Sequence, residues 1–230
     1  MTSSLALARR LVLAGLAAGA VALPAFAAED YSPAERALFM TNHLASTKPP
    51  TTLRYSFTHA GSEDTPFEDK VAVKLKAAAG GKCCAAEAEF LTGARKLALP
   101  EVEQAEGNPA LLYFLERDVR EMNRLTKGQQ NYFRKRIRMA VYQGATIQDV
   151  TVSYQGKSVP AREISIAPYT DDPLRARFEK YAGKTYVFTL SDAVPGGLVA
   201  IRTRVDGATP DAAPLIADEL VLDGAQTAAR

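Results

Sequence analysis

Polar and apolar residues alternate along three segments in the first part of the chain. In the first segment Leu53, Tyr55, Phe57 and His59 share one face, and a two-residue period of this kind is typical of a strand with one buried face. Residues 67–75 and 84–90 repeat the pattern. The polar positions of the second segment are mostly lysine, and those of the third are mostly glutamate. Because opposite charges pair favourably across neighbouring strands, the three segments predict a meander.

Helical spacing occurs in three places. Ser32-Pro33-Ala34-Glu35 has the form of a capping box and predicts a helix from Pro33 to about Ala45. Asn108-Pro109 again places a capping residue before proline, and the apolar residues after it recur every three or four positions. We therefore predict a second helix that ends near Thr126. The stretch from Asn131 to Gln143 fits both periods, and we favour a helix there.

Strand-like alternation returns in the second half of the chain. We expect two hairpins, whose strands cover residues 150–154, 159–166, 186–190 and 198–205. Asp172-Pro173 places an acid before proline, which predicts a short helix from Leu174 to Tyr181 between the hairpins. Strands on both sides of a helical middle indicate an α+β fold, with a curved antiparallel sheet packed against a few helices.

The N-terminus has the pattern of a secretory leader. Arg9 and Arg10 precede an uncharged apolar run, which ends in the A-x-A site Ala25-Phe26-Ala27. We predict a signal peptide over residues 1–27, cleaved after Ala27, a single α+β domain over residues 28–207, and an Ala- and Pro-rich, partly flexible tail over residues 208–230. The apolar run is too short to span a bilayer, so we expect a periplasmic protein without a transmembrane anchor in its mature form.

The charge balance argues against nucleic acid as a partner. The chain has 230 residues, of which 28 are Lys or Arg and 26 are Asp or Glu. The leader holds two of the arginines and no acid, so its removal leaves a mature chain without net charge. Such a chain lacks the positive field that attracts a phosphate backbone. With 47% hydrophobic and 23% charged residues the composition is that of an ordinary folded domain.

The two cysteines, Cys83 and Cys84, are adjacent. Neighbouring side chains in a regular strand point to opposite faces, so we predict two free thiols rather than a disulfide, a redox pair or a metal site. The sequence contains no CxxC motif and no Cys/His cluster. We expect no metal and no cofactor.

The search for catalytic residues gives one candidate, His59. Of the two histidines it is the better placed, because it shares the apolar face of a strand, but no nucleophile motif accompanies it. A strand-end histidine hydrogen-bonded at the rim of the core is the favoured interpretation. His43 lies late in the first predicted helix, where an imidazole meets the negative end of the helix dipole.

Two groups of residues are candidates for binding. The first is an apolar set that would line a ligand cavity between the sheet and the second helix, although such spacing is also typical of core. Its members are Tyr55, Phe57, His59, Leu111, Leu115 and Phe188. The second is the cationic run of Arg134, Lys135, Arg136 and Arg138, which would contact an anionic head group or an acidic partner. The alternative for this run is a solvated helix face.

The order of these elements resembles that of the periplasmic lipoprotein carriers of the LolA and LolB type. In that family a curved antiparallel sheet holds an apolar cavity under helices, and the resemblance covers most of the mature chain. It is a resemblance of pattern, without a motif matched residue by residue. Segments 108–124, 132–138 and 191–197 also resemble stretches of bacterial exported proteins of unknown function.

These patterns together predict a periplasmic carrier without catalytic activity. Its ligand would be apolar or amphipathic, such as a lipid or a lipoprotein, and would bind by burial of apolar surface. The alternative is a non-catalytic module that docks another envelope protein through the cationic run. An enzyme that uses His59 is the third choice.

Overall fold

The computed structural model describes residues 31–78, 80, 83–209 and 211–227. The predicted signal peptide lies outside these residues. The described residues form nine strands. They are β1 (Thr51–Ala60), β2 (Phe67–Ala77), β3 (Cys83–Phe90), β4 (Thr146–Tyr154), β5 (Lys157–Ile166), β6 (Thr185–Leu190), β7 (Leu198–Val205), β8 (Ile216–Leu222) and β9 (Ala225–Gln226).

The strands form one curved, open antiparallel sheet, in the order β3-β2-β1-β8-β7-β6-β5-β4-β9. Three helices accompany it: α1 (Pro33–Glu35), which continues as a π-helical turn over Arg36–Met40, α2 (Pro109–Thr126) and α3 (Gln130–Gln143). Short 3-10 turns occur at Gly93–Arg95, Arg175–Arg177 and Glu179–Tyr181. The α+β prediction with a curved antiparallel sheet is confirmed.

The helices cover one face of the sheet. Helix α2 packs on β2, β3 and β7, and α3 packs on β5. The buried side chains of the strands lie on the face that the helices cover, as β1 shows, where Leu53, Tyr55 and Phe57 are buried and Arg54 is exposed. The core therefore lies between the helices and one face of the sheet, and the outer face carries the polar residues.

The C-terminal part of the chain corrects the prediction of a tail. The sequence predicts a partly flexible tail over residues 208–230, but Ile216–Leu222 forms β8 in the middle of the sheet, paired with β1 on one side and β7 on the other. Its inward positions alternate as in any half-buried strand, but one of them is the buried Asp218. A charged residue on the inward face masks the alternation in the sequence.

Two predicted helices are shorter in the structure. The first helical segment ends at Met40 rather than near Ala45. There the chain turns, because the side chain of Asn42 accepts a hydrogen bond from the backbone N–H of Leu44, and that of His43 bonds back to the carbonyl of Ala37. The predicted helix over 174–181 is two 3-10 turns, separated at Phe178, whose backbone leaves helical geometry.

The structure also corrects the prediction of two free thiols. The sulfur atoms of Cys83 and Cys84 form a disulfide. The prediction assumed a regular strand, but β3 begins at Cys83, where its pairing with β2 shifts register next to Ala77. The alternation of side chains between the two faces is lost at that irregularity.

Candidate functional site

Asn108 fixes the beginning of α2 through four hydrogen bonds. Its side-chain oxygen accepts from the backbone N–H of Ala110, and its side-chain amide donates to the hydroxyl of Tyr55 at 2.8 Å and to the carbonyl of Gly196 at 2.7 Å. Its backbone N–H donates to His43 Nδ1 at 3.2 Å. The buried Asn108 thus ties the first turn of α2 to β1 and to the turn before β7.

Gly196 occupies a position that requires glycine. Its φ is +72°, and a Cβ atom there would lie 2.5 Å from Leu53 Cδ1 and 2.8 Å from the amide nitrogen of Asn108. Any side chain would push against the bond that Asn108 makes to the carbonyl of the same residue. This close approach holds the turn before β7 against the N-terminus of α2.

His43 takes part in the same network as a neutral imidazole. Its Nε2 atom donates to the carbonyl of Ala37 at 2.8 Å, and its Nδ1 atom accepts from the backbone of Asn108. A ring nitrogen that accepts cannot carry a proton, which fixes the tautomer. His43 therefore joins the π-helical turn to α2. These two hydrogen bonds hold the imidazole, and not the negative end of a helix dipole as predicted.

His59, the candidate catalytic residue, lies in a buried charged cluster. Its Nδ1 atom lies 2.5 Å from one carboxylate oxygen of Asp218, and the other oxygen accepts a hydrogen bond from Arg117 at 2.8 Å. The imidazole stacks on Phe67, and the guanidinium of Arg117 lies over Phe57. His59 is 3% exposed. The cluster joins β1, β8 and α2 and leaves His59 almost no contact with solvent.

A second charged cluster lies between α2 and β6. The ammonium of Lys184 forms an ion pair with Asp118, and both side chains are completely buried. The hydroxyl of Tyr186 donates to the other oxygen of Asp118 at 2.6 Å and lies 3.2 Å from the hydroxyl of Tyr169. Burial and the Asp118 carboxylate raise the pKa of Tyr186 well above its ordinary value, so this phenol stays protonated.

Most of the apolar candidates lie inside the core rather than along an opening. Tyr55, Phe57, Leu111 and Phe188 are at most 1% exposed. They pack against other core side chains, for example Phe57 against Phe114 with ring centroids 6.2 Å apart. The space between the sheet and α2 is occupied by these side chains and by the two charged clusters. Leu115 is the member of the set that lies elsewhere.

Leu115 lines an apolar groove on the outer side of the helices. We call it the three-helix groove; it has a volume of about 620 Å³. The groove is formed by the segment from Tyr31 to Met40, by Leu99-Pro100, by α2 and by α3. Its lining residues are Tyr31, Glu35, Phe39, Met40, Leu99, Pro100, Leu112, Tyr113, Leu115, Glu116, Val119, Arg134, Ile137 and Arg138.

The groove and the core use different faces of α2. Leu111, Phe114 and Asp118 point to the sheet and are buried, whereas Leu112, Leu115 and Glu116 line the groove. Each residue of an α-helix is turned by about 100° from the one before it, which places the two sets on adjacent stripes that meet between Leu111 and Leu115. Leu112 is 57% exposed, and Met40 on the opposite wall is 53% exposed. Large apolar side chains thus face solvent on both sides of the groove.

The cationic run of α3 divides into paired and unpaired residues. Arg134 binds Glu116 through several hydrogen bonds, at 2.9 to 3.1 Å, and Arg136 forms an ion pair with the buried Asp172 at 2.7 Å. Lys135 and Arg138 are exposed. In the described part of the chain neither of these two forms a hydrogen bond or an ion pair with another side chain. Arg134 and Arg138 both line the groove.

Few features of the sequence indicate the groove. Met40, Leu99 and Leu112 come from segments far apart in the chain, and α1 meets α3 through a hydrogen bond from the Ser32 hydroxyl to the carbonyl of Val141. The only available signal was Leu112, an apolar residue next to the main stripe of α2. Among the described residues, no three His, Cys, Asp or Glu side chains come together as metal ligands would.

Asp218 should make stability depend on pH in the acid range. Burial alone would raise its pKa, but the bonds from His59 and Arg117 outweigh burial, and the pKa lies below its ordinary value. A carboxyl whose pKa is lowered on folding stabilises the protein above its unfolded pKa of about 4. This contribution is lost as the pH falls from that value through the folded pKa.

Urea unfolding between pH 7 and pH 2 measures this dependence. We plot the free energy of unfolding against pH and call its decrease at low pH the acid limb. We expect Asp218→Asn to flatten this limb, because the amide cannot titrate. Asp64→Asn, which removes a half-exposed carboxylate, is the matched control and should retain most of that limb. If both variants show the slope of the original protein, the contribution of Asp218 is refuted.

Comparison with known proteins gives little similarity. No family model matches the sequence, and a search of curated proteins gives no match. Among solved structures, the lipoprotein LppX of Mycobacterium tuberculosis is similar with a TM-score of 0.31 and 11% identity, over 82% of this chain and 93% of that chain. At this TM-score the similarity carries no argument about function. No helix in the described ranges combines the length and the hydropathy that a bilayer crossing requires.

Proposed function

We propose that the protein is a periplasmic, non-catalytic binding protein that holds an apolar or amphipathic ligand in the three-helix groove. The observation that carries the proposal is the groove itself, an opening of about 620 Å³ with large apolar side chains exposed on both walls. Contiguous exposed apolar surface with a polar rim is typical of interaction sites. The location follows from the predicted signal peptide.

The dimensions of the groove favour a small amphipathic molecule such as a lipid or the acyl part of a lipoprotein. Ligand pockets in proteins have volumes of roughly 300–1,000 Å³ and are lined mainly by apolar side chains with a few polar groups. Binding would remove Met40 and Leu112 from water, and burial of apolar surface contributes about 25 cal/mol per Å². Both side chains are already exposed, so a ligand reaches them without opening the core.

The proposed binding site is the three-helix groove and not the predicted cavity between the sheet and α2. That space holds the network of Asn108, the pair of Lys184 and Asp118, and the cluster of His59 and Asp218. An acyl chain could enter there only by displacing buried ion pairs, which is costly. The outer face of α2 requires no such displacement.

The chemistry of the groove supports a role without catalysis. Its lining contains no His, Ser, Thr, Cys or Lys, and its two carboxylates, Glu35 and Glu116, are held by the backbone N–H of Ser32 and by Arg134. Asp218 does lie next to His59, as in a catalytic pair, but the ring is stacked on Phe67 and lies outside the groove. His59 is instead placed to hold β1 and β8 to α2.

Binding in the groove can be tested with Leu112→Glu. We expect this variant to bind a neutral apolar fluorescent probe, N-phenyl-1-naphthylamine, about tenfold more weakly, because a leucine side chain contributes roughly 1.5–3 kcal/mol on full burial. Leu112 is more than half exposed, so the fold should persist. Fluorescence titration gives the affinity, and circular dichroism checks the fold.

Leu174→Glu is the matched control, since Leu174 is an exposed leucine outside the groove. It should bind the probe as the original protein does. Equal affinity of Leu112→Glu and the original protein would contradict binding in the groove. Native mass spectrometry of protein taken from the periplasm would then show whether another ligand is present.

The alternative function is docking of an envelope protein. Exposed Met40 and Leu112 would also suit the apolar face of a partner helix. The cationic run supports this alternative less, because Arg134 and Arg136 are engaged within the protein. Two results together would favour docking over ligand binding. Native mass spectra would show only the ligand-free protein, and position 112 would form a specific cross-link to another envelope protein.

A further inference from the structure

Four charged residues line the three-helix groove, and three of them are engaged within the protein. Glu35 accepts a hydrogen bond from the backbone N–H of Ser32 at 2.9 Å and is 8% exposed. Glu116 is bound by Arg134 at 2.9 Å. Arg138 is exposed, and no described side chain or backbone group pairs with it. The groove therefore offers one free guanidinium beside an apolar floor.

The charges around Glu116 add to the positive character of this wall. Its carboxylate accepts hydrogen bonds from both Arg120 and Arg134, so two cations share one anion. Lys135 lies three positions before Arg138 on α3, which places both on neighbouring parts of the helix surface. The α3 wall of the groove thus carries an excess of positive charge, whereas the carboxylate of Glu35 on the α1 wall is bound by a backbone N–H. The floor of the groove is formed by Ile137, Val119 and Leu115.

We infer that the groove selects amphiphiles with an anionic head group and that Arg138 binds this group while the apolar chain lies along α2. The inference rests on the proposed function and specifies its ligand. A guanidinium presents a fork of N–H donors that matches carboxylate and phosphate oxygens, and it stays charged at all physiological pH values. The shared chemistry of the ligand is an anionic oxygen head on a single apolar chain.

Amphiphiles with the same dodecyl chain separate the contribution of the head from that of the chain. The probes are dodecyl phosphate, dodecanoate, dodecyltrimethylammonium and neutral dodecyl maltoside, each below its critical micelle concentration. We expect the two anionic probes to bind the original protein more tightly than the cationic one, with a preference that decreases as salt is added. Tighter binding of dodecyl phosphate indicates a phospholipid-like source, and tighter binding of dodecanoate indicates a fatty-acid-like source.

Variants of Arg138 identify the residue responsible. Arg138→Gln should weaken binding of the anionic probes by about threefold to tenfold and leave the neutral probe unchanged, because the amide lacks the charge and the forked donors that hold the head group. Arg138→Glu should reverse the preference toward the cationic probe. Arg54→Gln, on the polar outer face of the sheet, is the matched control and should change nothing.

The outcomes distinguish the inference from the proposed function. If all four probes bind with the same affinity, or if Arg138→Gln weakens the neutral and anionic probes equally, head-group selection by Arg138 is refuted and the groove remains a binding site. If no probe binds the original protein, not even the neutral one, both the inference and the proposed function are refuted.

Discussion

Replacement of Asp118 by alanine should lower the free energy of unfolding by about 3–5 kcal/mol, the usual cost of leaving one partner of a buried ion pair without the other. Lys184 is completely buried, and its ammonium has Asp118 as its anionic partner. The substitution also removes the acceptor of the Tyr186 hydroxyl. Urea unfolding followed by circular dichroism measures the loss.

A double variant distinguishes the effect of an unpaired buried charge on stability from the effect of lost packing. Asp118→Leu combined with Lys184→Met removes both charges and keeps apolar volume, so we expect it to recover most of the stability lost in Asp118→Ala. Tyr186 keeps Tyr169 as a neighbour for its hydroxyl. Lys76→Ala, which breaks the exposed pair with Glu87, should leave the unfolding midpoint unchanged. A double variant no more stable than Asp118→Ala would show that packing, rather than unpaired charge, is responsible.

Asp218→Ala should have the second large effect, a loss of about 3 kcal/mol. The substitution leaves the guanidinium of Arg117 and the ring of His59 without their common acceptor in the core. Asp64→Ala is the matched control, because Asp64 lies between β1 and β2 and is the half-exposed partner of Arg124, which belongs to α2 as Arg117 does. It should cost less than about 1 kcal/mol. Thermal and urea unfolding give both values.

This comparison also bears on the enzyme hypothesis. If His59 and Asp218 have a structural role, any variant of either residue that loses its phenotype should also lose stability, and to a corresponding extent. A variant His59→Gln with unchanged stability and a complete loss of phenotype would instead indicate a chemical role for the imidazole. The position of His59, 3% exposed and stacked on Phe67, leads us to expect the former.

The sequence predicted the elements whose signals are local. Asn108 before Pro109 caps α2, and its apolar stripe has helical spacing, so both its ends were predicted within a residue or two. The ambiguous stretch after it is helix α3, as favoured. Alternation likewise located β1, β2 and β3. These features depend on residues a few positions apart, which a sequence shows directly.

The elements that were missed depend on contacts across the chain. The inward Asp218 of β8 is tolerated because His59 and Arg117, more than 100 residues earlier, bind its carboxylate. Similarly, the cationic run looked uniform, but Glu116 and Asp172 engage two of its members. Nor can alternation distinguish a side chain that lines a cavity from one in a filled core, as Tyr55 and Phe188 illustrate.

The central position of β8 has a consequence for the order in which the chain acquires its structure. β1 and β7 are hydrogen-bonded not to each other but to Ile216–Leu222, so the sheet is continuous only when this strand is in place. During synthesis the two halves of the sheet therefore keep unpaired edges until β8, which follows β7 in the sequence, has been made. Pairing over such a sequence separation is slow, and unpaired edges attract other chains. A chaperone would therefore protect the chain most during the interval before β8 pairs with β1 and β7.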